Sequence, residues 1–282
     1  MQIFHEIAYY FSYSFILRGF LVGLIVALCA GLLGVNLVLK RCSMIGDGLS
    51  HVGFGSLAVA AAMGAAPLSV AIPAVIVAAL LMTRIAGSKK MDGDAAIAVI
   101  STSALAIGTL ILSVSEGMNT DLESYMFGSL LAAGKEDLVL CLILGGAVVL
   151  SFVLIYPTLF AVTFDGSFAR SAGIRVELVQ TGISVLAAIT VVLGMRLLGA
   201  LLISALILFP CLTAMRIFST FRSVVVCSAV LSLFCFSVGF VASCLLDAPP
   251  GATVVVTELA AFLAFTAIAA IKRKISSRAS TK

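Results

Sequence analysis

The chain has 282 residues, of which 62% are hydrophobic and 11% charged, with a mean hydropathy of +1.25 and a formal charge of +4. No soluble domain of this length has that composition, so the chain reads as a polytopic membrane protein with the lipid bilayer as its solvent. The positive charge sits at the ends of apolar runs and calls for no nucleic-acid partner.

The first apolar run, 15–39, is too long for a signal-peptide core and has no basic region before it, so it is expected to stay as a span. Gly19 and Gly23 form a GxxxG in it, and Gly31 and Gly34 a second small patch. Such spacing suits close helix packing, although glycine is common in membrane helices in any case. Further runs follow at 46–64, 68–85, 95–114, 138–157, 176–195, 198–215, 224–245 and 252–271. With about 20 residues needed per span, the expectation is an all-α transmembrane bundle of about nine spans, eight or ten being the alternatives. These spans nearly use up the chain, which leaves no room for a soluble catalytic domain.

Basic residues gather at Lys40 and Arg41, at Arg84, Lys89 and Lys90, at Arg170 and Arg175, at Arg216 and Arg222, and at Lys272 to Lys274. All of these fall on one side of the predicted bundle. The positive-inside rule makes that side cytoplasmic and places the N-terminus outside and the C-terminus inside the plasma membrane. Arg196 is the exception, on the outer side.

The second run opens with Gly-Asp-Gly-Leu-Ser-His at 46–51. Asp47 and His51 stand four residues apart, on one face of a helix, and ionisable groups in a membrane segment read by default as functional. One carboxylate and one imidazole are too few for a stable metal site, but a two-fold dimer brings two such pairs to its axis. Mixed oxygen and nitrogen ligation suits Zn²⁺, Mn²⁺ or Fe²⁺ better than Cu⁺. The plainer alternative is that Asp47 caps its helix while His51 satisfies a buried partner. Glu258, inside the last run, is a possible secondary polar site, as a ligand, a proton acceptor or a paired core residue.

The segment 121–137 is too short and mixed for a span and suits an interfacial helix or lid. At 164–174 the glycine-bounded stretch with Phe168 and two basic residues suits a short helix across the cytoplasmic face, either a docking knob or a plain amphipathic loop. The seven cysteines lack CxxC spacing and are expected to be free; a soft-metal site at Cys211 would need further sulfur ligands. There is no GxxxxGK[ST], HExxH or GxSxG, so the chain has no P-loop route to ATP hydrolysis. A lone intramembrane histidine also disfavours a metalloprotease.

Nearly end to end, the chain resembles the membrane subunit of the zinc/manganese-type ATP-binding-cassette importers, a type II importer-like permease. The resemblance is carried in order by 31–41, 43–51, Met126 to Leu131, Phe164 to Gly173, Leu198 through Pro210, and Pro250 to Thr253. The Gly-Asp-x-Leu-Ser-His element is its most specific part. The resemblance implies that Asp47 and His51 pass the metal, and that Asp165, Phe168, Ala169, Arg170 and Gly173 belong to a coupling helix at 164–174 within a single permease domain, 1–282. It implies a cytoplasmic ATPase dimer that uses the ATP, an extracytoplasmic metal-binding protein, and a second permease copy or paralogue. No cofactor is held permanently, the metal being cargo, and the chain itself is not an enzyme. Gly48 departs from the family, which often has alanine there. Two other readings predict different behaviour: an ion-coupled carrier using Asp47, His51 and Glu258, and a structural scaffold indifferent to Asp47→Asn and His51→Gln.

Overall fold

The computed structural model describes residues 9–40, 44–86, 93–114, 128 and 134–280. Among them the chain is helical throughout: α1 Ser14–Leu39, α2 Met44–Ala62, α3 Pro67–Ala86, α4 Gly93–Val114, α5 Lys135–Leu154, α6 Tyr156–Phe164, α7 Gly166–Ser171, α8 Val176–Leu198, α9 Ala200–Ala214, α10 Phe221–Leu246 and α11 Pro250–Ser280. Every apolar run read from the sequence is met by a helix. Seven of the described helices, α1, α3, α4, α5, α8, α10 and α11, are long and apolar enough to cross a membrane.

The two remaining long elements depart from the expected spans for different reasons. α2 has the length, 19 residues, but Asp47, His51, two serines and four glycines dilute its hydrophobicity. α9 has the hydrophobicity but only 15 residues, about 22 Å at 1.5 Å per residue, against a hydrocarbon core of about 30 Å. The run expected at 138–157 is also divided. α5 ends at Leu154 and α6 begins at Tyr156 with Pro157 in its first turn, the position where a missing amide leaves no hydrogen bond broken.

α1 is the central post. Residues 30–37 are buried without interruption, and α10, α9, α5 and α8 pack around it. α2 lies between α3 and α4 on one flank, while α11 closes the other flank against α10 and α9. Lys40, Arg84, Arg170, Arg175, Arg216, Arg222 and Lys272 share one end of this bundle, the basic end. Long-range serine bonds tie the post to α10: Ser228 Oγ donates to the Gly31 carbonyl at 2.8 Å and Ser232 Oγ to the Ala27 carbonyl at 2.6 Å.

The glycine patch of α1 marks its contacts. Gly31 faces Ser232, and a Cβ on Gly34 would collide with the backbone carbonyl of Ile207 in α9. A backbone atom cannot swing aside as a side chain can. Gly34→Ala is therefore expected to cost about 1–3 kcal/mol, read as earlier thermal unfolding in detergent. Gly146→Ala, at a helical position with nothing within 4 Å, is the matched control and is expected to be neutral or stabilising. Equal unfolding temperatures for Gly34→Ala and wild type would contradict this packing.

Candidate functional site

The site begins in the first turns of α2. Asp47 lies in the first turn and His51 one turn on, with His51 Nε2 at 3.5 Å from Asp47 Oδ2. The two side chains are 40% and 28% exposed, respectively. The carboxylate is therefore turned along the helix face toward the imidazole, and both keep an open side.

The ground under the pair is made by glycine and serine. A Cβ on Gly46 would touch Ile207 of α9 at 3.0 Å, and one on Gly48 would meet Ile97 Cγ2 of α4 at 2.8 Å, with Met82 of α3 at 3.2 Å. This explains the family departure at Gly48, since Ile97 and Met82 already fill the space a methyl group would take. α9 contributes Ser204, which the sequence reading did not single out. Its hydroxyl lies 3.2 Å from Ser50 Oγ and donates to the Ala200 carbonyl at 3.0 Å. Ser50 Oγ in turn donates to the Asp47 carbonyl at 2.7 Å.

Among the described residues no group of three or more His, Cys, Asp or Glu side chains could hold a metal ion. Among the described residues one chain thus presents two donors at this site. Glu258 is not brought to them. It is 1% exposed on α11, both carboxyl oxygens lack a hydrogen-bond partner, and it is packed beside Pro210, Thr213 and Cys235 with no room for a water. α9 packs against both α11 and α2, with Pro210 and Thr213 beside Glu258 and Ser204 and Ile207 on the side of the pair. Cys211 comes within 3.8 Å of Met215 Sδ, two sulfurs where a soft-metal site needs more. The six described cysteines are free thiols, and Cys42 lies outside the described residues.

At the basic end α7 is held rigidly between α6 and α8. Asp165 caps it, accepting from the backbone amides of Ser167 and Phe168 at 2.9 Å each. Ala169 is fully buried against Val162 and Val176, and Gly173 ends the turn at φ +81°, a conformation glycine adopts without strain. These anchors leave Phe168 standing 65% exposed. Arg170 reaches Glu177 at 3.7 Å with both side chains in the open, a pairing of little energetic weight.

The exceptional Arg196 is explained at the opposite end, where its Nη1 lies 3.1 Å from Asp137 Oδ1. Asp137 also accepts from the Gly134 amide at 3.0 Å, so α5 and α8 are clipped together there. Of the expected lid at 121–137, Gly128 and 134–137 are described and the rest lies outside the described residues; Gly128 abuts the Leu198–Gly199 peptide where α8 turns into α9.

A multi-pass helical bundle with a half-open acid–imidazole pair on one internal helix and a rigid knob at its basic end has the build of a membrane permease subunit. The chain belongs to the ABC 3 transport family, whose model matches residues 12–269. It is 30% identical to a probable metal transport system membrane protein of Thermotoga maritima over 93% of this chain and 92% of that one. It is 26% identical to the manganese transport system membrane protein MntC of Halalkalibacterium halodurans, covering 90% and 87% of the two chains, and 27% identical to the high-affinity zinc uptake system membrane protein ZnuB of Haemophilus influenzae, covering 86% and 93%. Among solved structures it is similar to PsaBC from Streptococcus pneumoniae in complex with Fab, with a TM-score of 0.82 at 25% identity over 93% of this chain and 95% of that one.

Proposed function

We propose that this chain is the path-forming permease subunit of an ATP-driven importer of divalent transition metal ions, Zn²⁺ or Mn²⁺. The observation that carries this reading is the Asp47–His51 pair, which is half open and stands beside the Ser50–Ser204 hydroxyl contact. Two such pairs across a two-fold axis supply two carboxylates and two imidazoles to one ion. That set suits Zn²⁺ and Mn²⁺ alike, and relatives bearing the names of both metals support it. A sparse site is what conduction needs, since the ion must leave as well as enter.

The chain is a single permease domain, 1–282, in the plasma membrane, with the basic end cytoplasmic as the charge bias requires. It pairs with a second copy or a close paralogue and takes the metal from an extracytoplasmic binding protein. Its coupling helix at 164–174 offers Phe168 to a dimer of separate ATPase subunits. The chain itself hydrolyses nothing and keeps no cofactor; it supplies path and gate. ATP-driven closure of the motor subunits moves α7, and through the buried Ala169 contact moves α6 and α8, which pack against the post.

The test is uptake of radiolabelled Zn²⁺ and Mn²⁺ into proteoliposomes holding this chain with its ATPase and binding protein. Uptake is expected to require ATP and the ATPase. Glu258→Gln, outside the Asp47–His51 pair, is expected to keep uptake within about twofold of wild type. Uptake driven by an ion gradient without the ATPase, and lost in Glu258→Gln, would replace the importer with an ion-coupled carrier.

A further inference from the structure

At the basic end of the bundle, between α10 and α11, lies a groove of about 500 Å³ walled by Phe218, Val226, Val230, Leu231 and Phe265, with Arg222 on its rim. The two helices run antiparallel and touch at Gly239 and Val254, where a Cβ on Gly239 would stand 2.5 Å from Val254 Cα. That register brings Lys272, near the end of α11, to about the level of Arg222. The groove is open sideways, where the bilayer lies: Val226 and Val230 are 57% and 59% exposed. α10 has 26 residues, about 39 Å, and outruns the hydrocarbon core of about 30 Å. Arg222, its second residue, therefore stands at headgroup depth whichever leaflet that end faces.

The charge at this end is unbalanced. Arg170 has a carboxylate partner and Arg216 lies over the Phe262 ring at 4.9 Å, whereas Arg222 has no acidic partner among the described residues. A hydrocarbon slot that ends at a free guanidinium, with Lys272 at about the same level of the bundle, matches a molecule with an acyl chain and a phosphate of net negative charge. We propose that this groove is a binding site for one anionic phospholipid, its acyl chain along Val226 and Val230 and its phosphate on Arg222. A zwitterionic lipid offers the same chain and phosphate, but its ammonium group is repelled by the cations that hold the phosphate. The site depends only on the membrane setting and is independent of the transported ion.

The chain has no tryptophan, so Val230→Trp places a lone tryptophan in the groove, excited selectively over the tyrosines, and Phe265→Trp gives a second, more conservative reporter. Each full-length variant is reconstituted into phosphatidylcholine bilayers in which brominated phosphatidylglycerol or brominated phosphatidylcholine replaces part of the lipid. Quenching at either groove position is expected to report an about fivefold preference for phosphatidylglycerol, falling to parity when Arg222→Gln is added. Ile143→Trp, on a lipid-facing position of α5 that is 64% exposed, is expected to show parity throughout. Parity at both groove positions, or a preference that survives Arg222→Gln, would overturn the site. So would fluorescence that neither lipid quenches, because protein, such as a second copy of the chain, would then cover the groove.

Discussion

Replacing His51 or Asp47 with alanine is expected to lower ATP-driven Zn²⁺ or Mn²⁺ uptake by at least about tenfold. The size follows from the donor count. Each chain offers one carboxylate and one imidazole 3.5 Å apart, and no further acid, thiol or imidazole joins them among the described residues. Loss of even an outer partner of a metal ligand typically costs about 10–100-fold in affinity or activity, and here either substitution removes half of all the donors from both protomers at once. The isosteric changes Asp47→Asn and His51→Gln keep the packing under the pair and remove its metal-binding character, so they are expected to fail nearly as badly. Basal ATPase activity of the assembled complex is expected to persist, because α7 lies away from α2. Full uptake by the Asn and Gln variants would reduce the pair to structural polar residues and favour the scaffold reading.

The second large effect is expected at Phe168. Phe168 is 65% exposed on a helix capped by Asp165 and anchored by buried Ala169, and the proposed coupling role has the ATPase cover it. Aromatic anchors of this kind typically contribute about 2 kcal/mol or more to an interface, so Phe168→Ala is expected to weaken ATPase binding about thirtyfold and uncouple uptake from ATP. Asp165→Ala, which removes the cap of α7 and costs about 1 kcal/mol, is expected to give a milder version of the same defect. Titration of the detergent-purified permease with its ATPase reads both. Unchanged affinity in Phe168→Ala would remove α7 from the docking surface.

Much of this molecule is legible in the sequence because a bilayer imposes a simple rule: backbone polar groups must be satisfied within the segment, so long apolar runs become helices. Asp47 and His51 stood out for the same reason, as ionisable groups in an apolar run at helical spacing. What stayed hidden depends on contacts between distant residues or on turns inside uninterrupted apolar sequence. The hydroxyls of Ser50 and Ser204 meet across 154 positions, and serine is too ordinary in membrane helices for either to be singled out. The break between α8 and α9 is read from the sequence at Arg196 and Leu197, whereas the chain turns at Gly199, where φ is +89°, so α9 is shorter than the expected 198–215. Pro157 was a usable signal for the break between α5 and α6, yet the apolar residues around it read as one run. Arg196 was visible as a misplaced charge, but only packing joins it to Asp137. Glu258 was visible as a buried acid, whereas its neighbours on α9, Pro210 and Thr213, follow only from packing.

The most direct test of the account counts metal ions on the permease itself. Equilibrium binding of radiolabelled Zn²⁺ and Mn²⁺ to the purified protein in nanodiscs, without ATPase or binding protein, is expected to saturate at one ion per two protomers and to vanish in His51→Ala. One ion per protomer, or binding that His51→Ala leaves intact, would contradict a path built from paired Asp47–His51 half-sites.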